Sequence, residues 1–390
     1  MVARPGIPLA KSCQSIRMMT PSHRIIAPVH QAILRHYGNR LMQDLEASSL
    51  IGEYLGKASW PARLLCQMRT IHYLTAMYRL FGEASMLKKA NELYLASEAQ
   101  YKTRAGQWKQ WPDQTHPASN LYELGFTIYA EAGLFALTKS MPLQQSARAT
   151  LQLITPILRD PPAWQRACSK DGLVSQNPLM HLFEAFLAAT SSFGDPIWSQ
   201  QGRLVLQIIA QSFFDPDAEM IAEVITKTPP YTKLYFEPGH SYEWASLLLA
   251  SSVDLQRLAR SCNLRAEGLV RACELNGLDP AGFVAERLCD AGEGSYRLIC
   301  DPAATRRRIW PQLERIRALH ECNHTHLDRH ADQGWTARLQ SATTQTLQHF
   351  FDGLDPVEYL PMDDQPLTNG VKSTTGYHII NALAPQIALP

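Results

Sequence analysis

The chain has 390 residues, of which 45% are hydrophobic and 19% are charged, a composition typical of a folded protein with a large apolar core. Its 37 Lys and Arg residues balance 36 Asp and Glu residues, which argues against a protein that binds nucleic acid through charge alone. No stretch stays apolar over the ~18 residues that a membrane-spanning helix needs, so we expect no membrane partner.

The N-terminal segment, residues 1–43, carries arginines and lysine but no Asp or Glu. Organelle transit peptides share this composition, but the simpler interpretation is a loose tail over residues 1–22 ahead of the first helix. We expect residues 23–390 to form a single catalytic domain. The eight cysteines include no C-x-x-C pair, which predicts reduced thiols in a cytoplasmic protein.

Helical periodicity dominates the chain, and strand signals are weak. Helix start and stop signals divide the sequence into about twelve predicted helices. These cover residues 26–46, 61–82, 84–101, 119–138, 143–158, 178–192, 196–212, 239–261, 265–276, 308–321, 329–351 and 375–388. No connection between them is long enough to mark a domain boundary.

Every second predicted helix opens with a cluster of polar and aromatic residues. The openings are Trp60–Arg63, Asn120–Glu123, Gln176–Pro178, Pro238–His240, Ile309–Gln312 and Thr374–His378. A closed ring of six helix hairpins would direct these N-termini at one cavity, where helix dipoles favour oxygen-rich ligands. A linear helical solenoid is the alternative, but it does not require the clusters to share one end.

Two of these helices contain the pattern H-x-x-E, formed by His181 with Glu184 and by His240 with Glu243. The i, i+3 spacing places both side chains on one helical face. A carboxylate beside an imidazole raises the imidazole pKa and fixes its tautomer, which is a general acid/base arrangement. Two buried histidines that are merely satisfied by glutamates would be a structural alternative. The repetition at corresponding helix ends favours catalysis.

Four motifs follow one another along the chain: N-P-x-M-H-L-x-E at 177–184, P-G-H-x-x-E-W at 238–244, W-P-Q-x-E at 310–314 and T-G-Y-H-I-I at 375–380. Together they resemble the N-acylglucosamine 2-epimerase superfamily, which includes mannose isomerase and cellobiose 2-epimerase. The resemblance covers about residues 60–385. It implies an all-α (α/α)6 barrel, in agreement with the helix pattern.

The resemblance also implies a reaction at a sugar carbonyl with no cofactor and no metal. A base removes the proton from C2 of an open-chain aldose such as an N-acylglucosamine, an N-acylmannosamine or mannose. Return of the proton to the other face of C2 gives the epimer, whereas delivery to C1 gives the ketose. By motif position, His240 and His378 correspond to the family's base and acid, a task that suits the ordinary imidazole pKa of about 6.5.

The remaining H-x-x-E residues take supporting roles by the same resemblance. His181 matches a third family histidine that binds the ring oxygen or assists ring opening, and Glu184 is its neighbour. Glu243 is expected to orient His240 or to stabilise its charge.

Further residues are expected to bind the substrate. Arg69 matches a family arginine that stabilises negative charge on the sugar oxygens, for which a permanently charged guanidinium is suited. Asn177 can hydrogen-bond hydroxyl groups. Trp310 is a candidate sugar-stacking surface, whereas Trp244 is better explained as core. Glu314 fits an inward polar role and a buried ion pair equally well.

A competing motif lies at His320–His324, where the sequence HECNH matches the H-E-x-x-H pattern of zinc metallopeptidases with Glu321 as general base. His326 and His330 add potential ligands. However, the motif falls at the predicted end of a helix and lacks the apolar residues typical of such sites. We therefore expect a solvent-exposed, histidine-rich turn.

Two other function classes stay open. A glycoside hydrolase on the same barrel would need two carboxylates about 5–10 Å apart across the bond, with no requirement for paired histidines. A non-catalytic sugar-binding barrel is the other. In each case the expected partner is a small-molecule sugar, and we expect a monomer or homodimer.

Overall fold

Fourteen α-helices account for most of the chain that the computed structural model describes. The described residues are 21–57, 62–118, 120–170, 172–290, 298–301, 306–326, 334–361 and 370–387. The helices are α1 (Pro21–Ala47), α2 (Leu64–Phe81), α3 (Ala84–Tyr101), α4 (Leu121–Thr138), α5 (Met141–Arg159), α6 (Pro161–Ala167), α7 (Asn177–Phe193), α8 (Pro196–Ile208), α9 (Pro238–Ala250), α10 (Val253–Ser261), α11 (Ala266–Asn276), α12 (Ile309–His326), α13 (Trp335–His349) and α14 (Thr375–Leu383).

Six of these helices form a closed inner ring. In the order α2, α4, α7, α9, α12 and α14, each packs against the next, and α14 returns to α2. The helices α1, α3, α5, α8, α11 and α13 pack outside them. The described chain is therefore the (α/α)6 barrel that the alternation of helices predicts. None of the described helices is long and apolar enough to cross a membrane.

The inner helices begin at residues suited to helix N-termini. The Asn120 side chain accepts a hydrogen bond from the Tyr122 amide at 2.9 Å and so caps α4. Pro178 and Pro238 occupy the first turns of α7 and α9, where a missing N–H costs nothing. At Gly125, an added Cβ would lie 3.3 Å from the backbone of His181, so glycine lets α4 approach α7 at the height of this histidine.

Eleven short strands lie in the connections between described helices: β1 (Ser169–Lys170), β2 (Leu173–Ser175), β3 (Phe214–Asp215), β4 (Met220–Ile225), β5 (Lys233–Phe236), β6 (Leu288–Asp290), β7 (Leu298–Cys300), β8 (Arg306–Arg308), β9 (Phe351–Asp352), β10 (Asp355–Pro356) and β11 (Tyr359–Pro361). A seven-stranded antiparallel sheet has the order β1-β2-β4-β5-β6-β7, with β3 also paired to β4. Strands β2, β5 and β8 run directly into α7, α9 and α12, so they lie at the N-terminal end of the barrel.

The structure differs from the predicted elements in several places. The strands are two to six residues long, too short for a reliable alternation signal. The predicted helix 239–261 is two helices, because the Ser252 side chain accepts a hydrogen bond from the Leu255 amide and caps a new helix that begins at Val253. Helix α6 was not predicted. Of the predicted tail, residues 1–22, only 21 and 22 are among the described residues, and of the opening Trp60–Arg63 only Ala62 and Arg63 are.

Candidate active site

Three histidines converge at the N-terminal end of the barrel, as the sequence predicts. His181, His240 and His378 come from α7, α9 and α14, and their exposed fractions are 2%, 7% and 7%. Trp310, the second residue of α12, packs against two of them, with its ring centroid 4.7 Å from that of His240 and 5.5 Å from that of His378. Gly239 permits this arrangement, because a Cβ there would lie 2.6 Å from the Trp310 ring.

His240 belongs to a cluster on the sheet side of the barrel, which we call the sheet-side cluster (Glu223, Glu237 and His240). Its Nδ1 lies 2.7 Å from Glu223 Oε2 and 3.3 Å from Glu237 Oε2. The prediction that Glu243 orients His240 is wrong, because the ring turns toward β4, which carries Glu223. Glu243 acts on His240 only as a more distant charge.

Hydrogen bonds fix Glu223 in place from two further residues. It accepts from Ser175 Oγ at 2.7 Å and from Gln176 Nε2 at 2.8 Å. Trp244 in turn donates from Nε1 to Gln176 Oε1 at 2.7 Å, and it is fully buried, which confirms that Trp244 is a core residue. The His240 ring is therefore held by a carboxylate that is itself immobilised.

The sheet-side cluster favours the charged form of His240. Burial alone disfavours the imidazolium, but the Glu223 carboxylate and its hydrogen bond, with help from Glu237, outweigh burial and raise the pKa of His240 to about 9. Burial likewise opposes ionisation of Glu223, yet the His240 charge and the hydrogen bonds lower the pKa of Glu223. Burial and the Glu223 charge raise the pKa of Glu237 to about 7.

His378 has a carboxylate partner too, but a different environment. Its Nδ1 lies 2.6 Å from Glu314 Oε1, and the other oxygen of Glu314 accepts from Arg317 at 3.3 Å. Burial lowers the pKa of His378 well below its ordinary value, and the positive charges of Arg69 and Arg317 add to this. Glu314 thus takes both roles that the sequence left open, as histidine partner and as buried ion pair.

His181 lies deeper and also binds a carboxylate. Its Nδ1 is 3.2 Å from Glu184 and 3.9 Å from Glu243, so the predicted pairing with Glu184 is confirmed. The Tyr377 hydroxyl lies 2.6 Å from Glu184 and 2.8 Å from Glu243. Burial lowers the pKa of His181. Burial opposes ionisation of Glu184 as well, but His181, Arg317 and Tyr377 together lower the pKa of Glu184 to about 2.

Arg69 and two polar side chains present unsatisfied hydrogen-bonding atoms. The Arg69 guanidinium donates to Tyr122 Oη at 2.8 Å, and among the described residues it has no carboxylate partner. Its Nε, the Asn177 Oδ1 and the Trp310 Nε1 are buried without a hydrogen-bond partner in the described part of the chain. Two donors and an acceptor of this kind suit a ligand that carries hydroxyl or oxyanion oxygens.

Three groups of side chains offer ligand atoms within 4.8 Å of one another: His181–Glu184–Glu243, Glu223–Glu237–His240 and Glu243–Glu314–His378. Arg317 lies within 3.9 Å of a carboxylate from the first and third groups, so these already hold a cation. In the second, the 2.7 Å hydrogen bond between Glu223 and His240 occupies Nδ1. That the protein needs no metal and no cofactor stays a prediction.

The HECNH segment lies apart from this site. It belongs to α12, which continues to His326, so the predicted turn is wrong for these residues. His320 is 9% exposed, and its Nε2 lies 3.1 Å from Nε2 of His324, one helical turn further on. His320 comes ten residues after Trp310, about 15 Å along the helix. His330 lies outside the described residues.

The structure adds four functional residues that the sequence did not single out: Glu223, Glu237, Arg317 and Tyr377. Tyr377 stands inside the motif at 375–380, beside His378, and Glu237 comes directly before the motif at 238–244. Arg317 follows Glu314 by one turn. For Glu223, the available signal is a lone charge within an otherwise apolar run, residues 220–225, all buried.

Comparison with known proteins finds a partial match in sequence. A mannose-6-phosphate isomerase of Rhizobium meliloti (strain 1021) is 29% identical over 152 residues, which is 37% of this chain and 37% of that protein. The match therefore spans little more than a third of that relative.

Solved structures resemble the fold over nearly the whole chain. A D-mannose isomerase has a TM-score of 0.74 and 17% identity, covering 95% of this chain and 99% of that one. A cellobiose 2-epimerase from Bacillus thermoamylovorans B4167 has a TM-score of 0.71 and 13% identity, covering 92% and 100%. An α-1,6-mannanase from Salegentibacter sp. HEL1_6 has a TM-score of 0.63 and 10% identity, covering 92% and 98%. At such low identity these structures show the fold alone.

The family assignment comes from the sequence itself. The family model described as N-acylglucosamine 2-epimerase matches residues 56–382, which include all three site histidines and Trp310. This protein is therefore a member of the N-acylglucosamine 2-epimerase family, a sugar isomerase or epimerase.

Proposed function

We propose that this protein moves a proton at C2 of an aldose through an enediolate, without a cofactor, and so interconverts C2 epimers or an aldose and its ketose. Candidate substrates are N-acylglucosamine with N-acylmannosamine, and mannose with fructose. The observation that carries the proposal is the pair of histidines that pack against Trp310, each bound by a carboxylate at Nδ1. Nε2 of each ring is then the atom left to exchange a proton with a sugar.

The surroundings of the two rings support opposite roles. Burial and the positive charges of Arg69 and Arg317 disfavour the cationic form of His378. His378 therefore serves as the base that removes the C2 proton. His240, charged beside Glu223, serves as the acid. Arg69 stabilises the negative charge that develops on the sugar oxygens, because its guanidinium has no carboxylate partner in the described residues.

The same residues allow two outcomes. For epimerisation, His240 gives its proton to the opposite face of C2 and solvent restores both histidines. For isomerisation, His378 returns its proton to C1 while His240 protonates O1 and accepts the O2 proton, which leaves the carbonyl at C2. We assign His181, held by Glu184, to the ring oxygen of the closed sugar, and Asn177 and Trp310 to hydroxyl contacts and stacking.

The experiment is an NMR screen in D₂O with mannose, glucose, fructose, N-acetylmannosamine, N-acetylglucosamine and cellobiose. We expect one pair to interconvert with solvent deuterium entering at C2 or C1. Turnover with complete internal hydrogen transfer between C1 and C2 would point to a hydride shift and contradict the proposal.

Two controls separate the other function classes. Release of reducing ends from a disaccharide would identify a glycoside hydrolase, and tight binding without turnover would identify a sugar-binding module. EDTA should leave the rate unchanged. Loss of activity in EDTA with recovery in Zn²⁺ would contradict metal-free catalysis.

A further inference from the structure

Arg317 lies beneath the active site and contacts carboxylates from three inner helices. Its guanidinium is 3.3 Å from Glu314 on α12, 3.6 Å from Glu184 on α7 and 3.9 Å from Glu243 on α9, and its side chain is 13% exposed. We call these four residues the Arg317 cluster. Each of its carboxylates also lies within 3.9 Å of Nδ1 of His181 or His378. The guanidinium therefore competes with two site histidines for the same negative charge.

Tyr377 limits how much negative charge this cluster holds. Its hydroxyl contacts both Glu184 and Glu243, but it has only one proton to donate. For both contacts to be hydrogen bonds, one of the carboxyl groups must itself carry a proton. Burial and the Glu314 charge raise the pKa of Glu243 to about 7, whereas His181, Arg317 and Tyr377 lower the pKa of Glu184 against the effect of burial, so of the two groups Glu243 takes up a proton more readily.

Glu314 is shared between the two kinds of cation. One oxygen lies 2.6 Å from His378 Nδ1, and the other accepts from Arg317. Burial raises the pKa of Glu314 to about 7, although the charge and hydrogen bond of Arg317 oppose this rise. A carboxylate that already pairs with a guanidinium stabilises an imidazolium less than a carboxylate that has only the imidazole. In the described part of the chain, Glu223, the partner of His240, forms no ion pair or hydrogen bond with an arginine. The difference between the two histidines thus coincides with the presence of Arg317.

We propose that Arg317 is a positioning residue that keeps His378 unprotonated at neutral pH by taking up part of the charge of Glu314, and so makes His378 available as a base. This inference rests on the proposed function only for the role of the base. The charged or titratable groups that face His378 are Arg69 from α2, Glu184 from α7, His240 and Glu243 from α9, Glu314 and Arg317 from α12 and Tyr377 from its own helix.

The first test replaces Arg317 by Gln. Glu314 then has His378 as its closest cation, and we expect His378 to become protonated at neutral pH. Because a protonated imidazole cannot accept the C2 proton, the acidic limb of kcat/KM should move to higher pH by about one pH unit or more. The loss should fall on kcat rather than KM and should diminish as the pH is raised. Arg317→Lys keeps the charge and should restore most of the original profile.

Arg315 supplies a matched control on the same helix. It is buried, at 6% exposed, and pairs with Glu274 at 2.7 Å, a carboxylate with no contact to a site histidine. Arg315→Gln should lower thermal stability as Arg317→Gln does, but it should leave the acidic limb in place. Equal displacement of the limb in both variants would show a general effect of destabilisation and would overturn the proposal.

A readout without substrate keeps this inference separate from the proposed function. Histidine ¹⁵N NMR of the free protein, with His378 assigned through a His378→Asn variant, reports the protonation of the ring directly. We expect His378 to be neutral at pH 7 in the parent protein and protonated in Arg317→Gln. If Arg317→Gln does not fold, Arg317→Gln with Glu243→Gln removes one carboxylate and serves instead. A neutral His378 at pH 7 in the folded variant would overturn the proposal, whatever the substrate proves to be.

Discussion

His240 and His378 both pack against Trp310, and each has a carboxylate at Nδ1, at 2.7 and 2.6 Å. The groups around the two rings nevertheless shift the two imidazole pKa values in opposite directions. The sheet-side cluster adds a second carboxylate and raises the pKa of His240 to about 9, whereas burial with Arg69 and Arg317 lowers the pKa of His378 well below its ordinary value. The closest partner fixes each ring, and the next layer of charges decides whether the ring holds a proton.

The largest expected effect follows from removing either ring. His240→Asn and His378→Asn should each lower kcat by about 10²–10⁴-fold, because each supplies general acid or base catalysis. Steady-state kinetics with the sugar found in the NMR screen, together with thermal unfolding, measures both effects. His116→Ala is the control, since His116 is exposed and far from the motifs. Near-normal turnover in either variant would show that its role is assigned wrongly.

A smaller effect is expected from the close contact between Gly239 and Trp310, the tryptophan against which both histidines pack. In Gly239→Ala, the new methyl group would lie 2.6 Å from Trp310 and 2.9 Å from Pro311, so the tryptophan must move. We expect a loss of about 1–3 kcal/mol in the free energy of unfolding and a fall in kcat of up to about 10²-fold. Chemical denaturation and initial rates measure these.

Gly202→Ala is the matched control for that variant. Gly202 is also a buried helical glycine, but its added Cβ meets nothing closer than 3.7 Å. It should be neutral or slightly stabilising. Comparable losses in both variants would mean that Trp310 does not depend on a glycine at position 239.

The sheet-side cluster can be weakened separately. Glu223→Gln removes the carboxylate that raises the pKa of His240 to about 9, so this pKa should fall toward its ordinary value of about 6.5. Because the acid must be protonated, the alkaline limb of kcat/KM should move to lower pH, with about 10–30-fold lower activity at pH 8.

Glu237→Gln should shift the alkaline limb in the same direction by a smaller amount. Glu237 is the more distant carboxylate, 3.3 Å from His240 Nδ1 against 2.7 Å for Glu223. The alkaline limb of kcat/KM should therefore move less in Glu237→Gln than in Glu223→Gln. The full pH–rate profiles of both variants decide the matter. An alkaline limb that stays in place in Glu223→Gln would contradict the assignment of His240 as the acid.

The smallest effect is expected from the hydroxyl of Tyr377, which contacts two carboxyl groups. Tyr377→Phe removes a group that contacts Glu184 and Glu243, and we expect about 1–3 kcal/mol lower unfolding free energy. Tyr242→Phe is the control, because that hydroxyl contacts one carboxylate, Glu274, which keeps Arg315. Tyr242→Phe should lower the free energy of unfolding by about 1 kcal/mol or less. Equal losses in urea denaturation would contradict the shared contact.

Much of the architecture follows from the sequence, because local signals encode it. Proline in the first turns of α7 and α9, and the Asn120 cap of α4, mark where inner helices begin. The polar openings likewise predict where His181, His240 and His378 meet. The sequence does not predict the sheet, because its strands are stabilised by pairing with distant segments. They are also too short to show the two-residue alternation that marks a strand.

The partners of the histidines were only half predictable. Helical spacing identifies His181 with Glu184, because i, i+3 neighbours meet on one face. The same spacing misassigns Glu243 to His240, since the partner of that ring is Glu223, which β4 brings from 17 residues away. Glu314 reaches His378 across 64 residues through the contact of α12 with α14, which no local pattern reveals.

The most direct test of the account is the protonation state of the two rings in the free protein at pH 7, measured by histidine ¹⁵N NMR across a pH titration. The account predicts that His240 holds protons on both nitrogens up to about pH 9, while His378 stays neutral to well below pH 6.5. Two rings that titrate together near pH 6.5, or in the reverse order, would contradict it.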